Sequence, residues 1–341
     1  MATARIGSDF DVTIRGAGIF GLSIGWACAL RGARVQVIDP HGIGAGSSGG
    51  IVGALSPHVP EQWNDKKAFQ LQSLLMAQDW WAAVQAAGGG DPGYARSGRL
   101  QPLADDAALA LARQRAETAR DLWQGQAVWE VIPADTAQVW APHSPSGWLV
   151  RDTLSARIHP RQALAALAAA IRATGGAITP DGPETGAVIW ATGAAGLAEL
   201  GGAGVKGQAA LLNHDARGQP QLFVDGLHII PHADGTVAIG STSERAWDDP
   251  ASTDAQLDAL IDRARAALPV LSGAPVTHRW AGIRPRSASR APILGAHPAR
   301  PGAYIANGGF KIGFGMAPLV AEVMADLVLE GRDRIPEGFR A

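Results

Sequence analysis

The stretch VTIRGAGIFGLSIG, residues 12–25, decides the fold. Its apolar start, Val12 to Ile14, predicts a strand, and residues 19–31 predict a helix. Between them Gly16, Gly18 and Gly21 fit G-x-G-x-x-G. Gly16 permits the tight turn, Gly18 lets backbone approach a pyrophosphate, and Gly21 lets helix and strand pack closely. Free N–H groups at the helix N-terminus suit phosphate. Gly32 then ends the helix, and RVQVID predicts a second strand finishing at Asp39, 18 residues after Gly21. An acid there is placed to bond a ribose hydroxyl. In a chain with 43 glycines the motif alone is weak. Strand, helix, strand and acid in register make it a dinucleotide site. Nothing in the sequence explains Arg15, at a strand end that is usually apolar.

The remaining composition narrows the function. A chain of 341 residues is long enough for a large core and two domains. A net charge of −2 leaves no electrostatic footprint for nucleic acid or an anionic membrane. No apolar run reaches membrane-spanning length, so no membrane span is expected. The N-terminal MATARIGSDF lacks the apolar centre of a secretory signal. One cysteine, Cys28, excludes an internal disulfide and suits the cytoplasm. The nine histidines show no metal-ligand spacing, so no metal is expected.

Further along, residues 65–87, 104–126, 160–174 and 253–267 predict helices. SGRLQPL, AVWEVIP, GWLVRDT, GAVIWATG and VTHRWAGIRP are strand candidates, and LHIIPHADGTVAIGST predicts a hairpin turning at Asp234-Gly235. A last helix is expected from Ala317, with Pro318 at its start. Hairpin-paired strands between two βα regions predict a discontinuous nucleotide domain interrupted by an antiparallel substrate domain.

The chain resembles the flavin-dependent D-amino-acid oxidase superfamily, most closely its glycine oxidase and sarcosine oxidase branch. The resemblance runs from Asp11 to about Glu330, through GAGIFG, Asp39, GSSGGIVGAL, VIWATGAAG, VKGQ, IIPHADGTVAIGST, RWAGIRP and ANGGFKIGFGMAP. It implies an α/β fold with an α+β substrate part. A discontinuous Rossmann-like FAD-binding domain (8–82, 150–206, 284–341) would join an antiparallel-sheet substrate domain (83–149, 207–283). It also implies FAD, held non-covalently because Cys28 lies in the first helix. Between Gly176 and Ala187 the family carries a longer strand pair touching the adenine, where this chain has only AITPDGPETG.

By the same resemblance Gly16, Gly18, Ile19, Phe20 and Gly21 meet the pyrophosphate, and Asp39 the ribose. Ser47, Ser48, Gly49, Gly50 and Ile51 cover the pyrophosphate and flavin edge. Thr192 and Gly193 approach from the far side, and Gly308, Gly309, Phe310, Lys311 and Ile312 meet the pyrimidine edge. Arg284 corresponds to a carboxylate-binding arginine, whose planar fork suits two oxygens. Lys311 stands where glycine oxidases carry a supporting arginine, and His228 where they carry a tyrosine. The implied reaction oxidises a small α-amino acid or N-substituted glycine by hydride transfer from Cα to flavin N5. Imine hydrolysis follows, with O2 as acceptor. A dehydrogenase passing electrons to a quinone or carrier, and an oxidase of a modified tRNA base, are the alternatives.

Overall fold

A computed structural model describes residues 10–340. The N-terminal stretch judged against a secretory signal, and the domain limits at 8 and 341, lie outside the described residues. Along the chain, β1 (Val12–Arg15), α1 (Ile19–Leu30) and β2 (Val35–Ile38) form the first βαβ-type unit. Then follow β3 (Ala54–Leu55), α2 (Asp65–Gly88), β4 (Arg99–Pro102), α3 (Asp106–Trp123) and β5 (Trp129–Pro133). The middle of the chain holds β6 (Trp148–Asp152), β7 (Ala156–Arg157), α4 (Pro160–Ala173), β8 (Ala177–Thr179), β9 (Ala187–Trp190) and α5 (Gly193–Ala198). Next come β10 (Ala203–Asn213), β11 (Gln221–Val224), β12 (Leu227–Pro231), β13 (Thr236–Gly240) and α6 (Ala255–Ala267). The chain closes with β14 (Val276–Arg286), β15 (Ile293–Ala296), β16 (Tyr304–Asn307) and α7 (Gly313–Glu330).

A six-stranded sheet has the order β15-β16-β9-β1-β2-β8, parallel except for the edge strand β15. All of α1 except Leu30 is buried, because α4 and α7 enclose it against the sheet. Side chains alternate along a strand, so Ile14 points at α1 while Thr13 and Arg15 point to the opposite face. There the short segment 180–186 crosses the sheet as a polar strap. Thr13 Oγ1 donates to the Thr185 carbonyl at 2.7 Å, Gln36 Nε2 to Pro183 at 3.2 Å, and Arg15 Nε to Glu184 at 2.7 Å. Arg15 is thereby explained.

An eight-stranded sheet has the order β14-β10-β13-β12-β11-β4-β6-β5. All its pairs are antiparallel except β4 with β11. One face buries Ala210, Leu222, Ile229 and Ile239 against Leu257, Leu260 and Ile261 of α6. Residues in register share a face. The opposite face therefore carries Asp152, Arg99, Phe223, His228, Gly240, Gly207 and Arg284. It looks toward the loop after β2: a Cβ on Gly240 would meet Val52, and Gly50 lies against Trp280.

The last helix departs from expectation. It begins at Gly313, five residues before Pro318, which lies inside it. Packing overrides the proline: Met316 and Ala317 are fully buried. Beside the proline the Leu319 amide is satisfied from α2, where Ser73 Oγ accepts from Leu319 N at 3.3 Å. The amides at this helix start are those near Gly313.

Candidate active site

The glycine turn after β1 is a cradle without room for side chains. A Cβ on Gly16, which has φ +109°, would lie 2.3 Å from the Ala191 carbonyl oxygen, and one on Gly21 1.9 Å from that of Gly16. Gly18 is the N-cap of α1 and has no side chain with which to cap the helix. Its neighbour across the turn is Ser48, whose Oγ accepts from Ile19 N at 3.0 Å. Asp39 closes β2 and accepts from Ala17 N at 2.8 Å and His41 N at 2.9 Å. Ser47–Gly49 form a single 3-10 turn, pinned by Arg161 Nε donating to the Gly49 carbonyl at 2.9 Å. Gly50 N follows with a bond to the Ser47 carbonyl at 3.3 Å. Ile51 is buried, and its carbonyl oxygen lies 2.8 Å from His232 Nε2.

Two further turns converge on this cradle. Thr192 precedes Gly193 at the start of α5, and Asn307 Nδ2 holds the Gly193 carbonyl at 3.0 Å. Gly308 and Phe310 both take positive φ, and Phe310 N bonds the Pro285 carbonyl at 3.1 Å. A Cβ on Gly309 would meet the Phe20 ring at 3.0 Å, so this turn packs on the fingerprint helix. Ile312, bonded to Gly309, is the N-cap of α7, again with no side-chain cap. Two long helices thus present N-termini to one region, with Ser48 holding the Ile19 amide of α1, an arrangement suited to a phosphate or a developing negative charge.

The three residues expected at the substrate end share one neighbourhood. Arg284 is 8% exposed, and its guanidinium lies over Gly207, where a Cβ would come within 1.7 Å of Nη2. Nη2 donates to Ser241 Oγ at 2.6 Å, and Nη1 to the carbonyls of Thr242 at 3.3 Å and Lys206 at 3.5 Å. Behind it Glu244 is held by Gln208 at 3.1 Å, by Thr242 Oγ1 and, at 3.8 Å, by buried Lys206. Burial pushes Arg284 down to about 10, Glu244 acting in the opposite sense, so it stays charged at neutral pH. Lys311 Nζ lies 5.7 Å from the Phe310 ring, and burial, then the Arg284 charge, lowers its pKa. His228 packs on Phe223 with the ring centroids 4.7 Å apart and the rings tilted by 43°. Burial, then Arg99, Lys311 and Arg284, push it down to about 3, so it is neutral in ordinary buffers.

Gly207, Ser241 and Glu244 were not singled out in the sequence. The glycine in VKGQ was the available signal; the serine and glutamate carry none, because strand pairing alone brings them to Arg284.

A glycine cradle with two helix N-termini, beside a sheet face lined with cations, defines a dinucleotide-dependent oxidoreductase. The chain belongs to the DAO family of FAD-dependent oxidoreductases, whose model matches residues 11–327. It is 29% identical to the glycine oxidase of Pseudomonas putida over 351 residues, 93% of this chain and 94% of that one. The solved glycine oxidase of Geobacillus kaustophilus matches with a TM-score of 0.85 at 22% identity, covering 97% of this chain and 98% of its own. An iminodiacetate oxidase from a Chelativorans species matches at 0.83 and 21%, covering 96% and 98%. The cofactor of the family is FAD, and the side-chain-free cradle and helix-start amides fit its pyrophosphate.

Cys28 is fully buried in α1, and burial pushes its thiol up to about 12, so no thiolate is available for a flavin bond. Acid or heat treatment should therefore release intact FAD into the supernatant. Flavin retained on the precipitated chain, seen by its absorbance, would contradict this.

His232 supplies a second expected outcome. It is fully buried, 4.8 Å from the His159 ring, and burial holds it at about 4 despite its bond to Ile51. Its folded pKa lies below the unfolded value of about 6.5, so the unfolded chain binds the extra proton between those values. The His232 contribution is complete above pH 6.5 and falls as pH drops toward 4, by about 3 kcal/mol, with buried His228 acting in the same sense. Tm measured from pH 7 to 4.5 should decline, and His232→Gln, which can still donate to Ile51, should flatten that decline. An unchanged slope in the variant would show that other groups control it.

Proposed function

We propose that the protein oxidises a small α-amino acid or N-substituted glycine at the Cα–N bond, in the cytoplasm, with O2 as electron acceptor. The observation that carries this is Arg284, a buried guanidinium whose three hydrogen bonds leave part of its fork free. Guanidinium has five N–H donors. The free ones would take the substrate carboxylate and fix the orientation of the amine-bearing carbon. FAD, held by the cradle residues, would supply the acceptor for the α-hydrogen as hydride and, with O2, the route to H2O2; the imine left by the substrate would be hydrolysed by water to the oxo acid and the amine or ammonia. Lys311 and the uncapped start of α7 would favour negative charge beside the turn Gly308–Ile312. The residues expected to hold FAD are the cradle Gly16, Gly18 and Gly21, with Asp39, Ser48 and Gly308–Ile312. His228, neutral at working pH, would offer a hydrogen bond rather than a charge.

Two of the relatives named above support the substrate class: glycine oxidase and iminodiacetate oxidase. The division into 8–82, 150–206 and 284–341 for FAD, with 83–149 and 207–283 for substrate, belongs to the same reading. The test is anaerobic flavin reduction by a panel of glycine, sarcosine, iminodiacetate and small D-amino acids, followed by H2O2 measurement in air. Bleaching by at least one amine with one H2O2 per turnover is expected. No bleaching by any amine would defeat the reading; bleaching without H2O2 would replace O2 by another acceptor.

A further inference from the structure

Arg99, on the same sheet face as His228 and Arg284, is 6% exposed. Its Nε lies 2.9 Å from Asp152 Oδ2. Asp152 is fully buried and also accepts from Ser155 N at 2.7 Å and Ser155 Oγ at 3.0 Å. The ion pair is a charge contact at the Nε edge: Nε is buried and makes no directed hydrogen bond despite the short distance, which is costly. Among the described residues no hydrogen bond holds the terminal nitrogens either, and these are not enclosed, so the fork that a structural arginine–carboxylate pair ordinarily uses is open to a ligand.

The fork is flanked by aromatic rings, with Cζ 6.0 Å from Trp129 and 5.9 Å from Phe223. Phe223 in turn packs at a tilt on His228, whose Nδ1 is enclosed without a partner, leaving Nε2 as its accessible nitrogen. Arg99, Phe223 and His228 thus form a row leading toward Arg284.

We propose that Arg99 and His228 form a distal anion subsite, so that the substrate is an amino acid or N-substituted glycine whose far end also carries an acid. The proposal rests on the reading of Arg284 as the α-carboxylate anchor. Four strands lie between β4 and β14, so the backbones of the two arginines stand about 24 Å apart at ordinary strand spacing. Both side chains reach inward toward His228, which shortens the gap. The tail is then several bonds long, and glycine or sarcosine fills only the Arg284 end.

The test uses the holoenzyme and unreactive acids as probes: acetate, then the diacids from succinate to suberate, each beside the monoacid of equal chain length. Binding is read by perturbation of flavin absorbance and by calorimetry. At one chain length the diacid should bind at least tenfold more tightly than its monoacid. In Arg99→Gln combined with Asp152→Asn, which leaves no unpaired buried charge, that advantage should fall below threefold while acetate binds as before. Diacids no tighter than monoacids at every length in the wild type would overturn the subsite, as would an advantage that survives in the double variant. Failure of acetate itself to bind would instead remove the Arg284 reading, and the subsite with it.

Discussion

Arg284→Ala should lower kcat/KM by a hundredfold or more while FAD stays bound. The loss follows from removing a charge-assisted paired contact to a carboxylate, worth about 3 kcal/mol. The fold should survive, because Glu244 does not depend on Arg284: Lys206, Gln208 and Thr242 hold it. Arg284→Lys should recover only part of the activity, since an ammonium cannot reproduce the planar fork. Gly207→Ala offers an independent route to the same result. Its Cβ would fall 1.7 Å from Nη2 and force the guanidinium aside without removing its charge. Acetate should compete with substrate in the wild type and lose that ability in both alanine variants. Normal flavin spectra with wild-type kcat/KM and wild-type acetate inhibition in Arg284→Ala would make Arg284 a structural residue.

The features legible in the sequence are those set by local chemistry. The turn at Gly16–Gly21 is written in three glycines, of which Gly16 and Gly21 are forbidden a side chain by backbone contacts within or beside the turn. The hairpin at Asp234-Gly235 and the start of α4 at Pro160 also announce themselves locally. What the sequence hides depends on partners far along the chain. Arg15 makes no sense until the strap 180–186 brings Glu184 to it. Arg99 reads as an ordinary polar residue in a short strand, and becomes a buried cation only because β6 and β11 flank it. Pro318 misled for the opposite reason: a sound local rule for helix starts lost to the packing of Met316 and Ala317 and to Ser73 on α2. The cations of the site likewise come from β4, β14 and the turn before α7, joined only by the order of strands.

The glycine turn itself should separate fold from cofactor when probed at two of its positions. In Gly21→Ala the new Cβ would stand 1.9 Å from the Gly16 carbonyl oxygen and 3.3 Å from Ile14 Cγ2, both fixed in the core. Helix α1 would have to move off β1, and because nearly all of α1 is buried the strain spreads through the core. That protein should be insoluble, or should melt far below the wild type whether or not FAD is added. In Gly18→Ala the nearest atom to the new Cβ is Ser48 Oγ at 3.1 Å, the end of a side chain that can rotate, and φ at Gly18 is −84°, open to any residue. The chain should therefore fold with the apoprotein melting temperature of the wild type. The added methyl would nevertheless stand at the start of α1, where the pyrophosphate must approach the backbone. FAD affinity should drop by a hundredfold or more, giving a colourless, folded protein whose Tm no longer rises with added FAD. Should Gly18→Ala instead purify yellow with wild-type FAD affinity, the pyrophosphate does not lie against this turn. If Gly21→Ala folds and melts normally, the close approach of α1 to β1 is not what the core depends on.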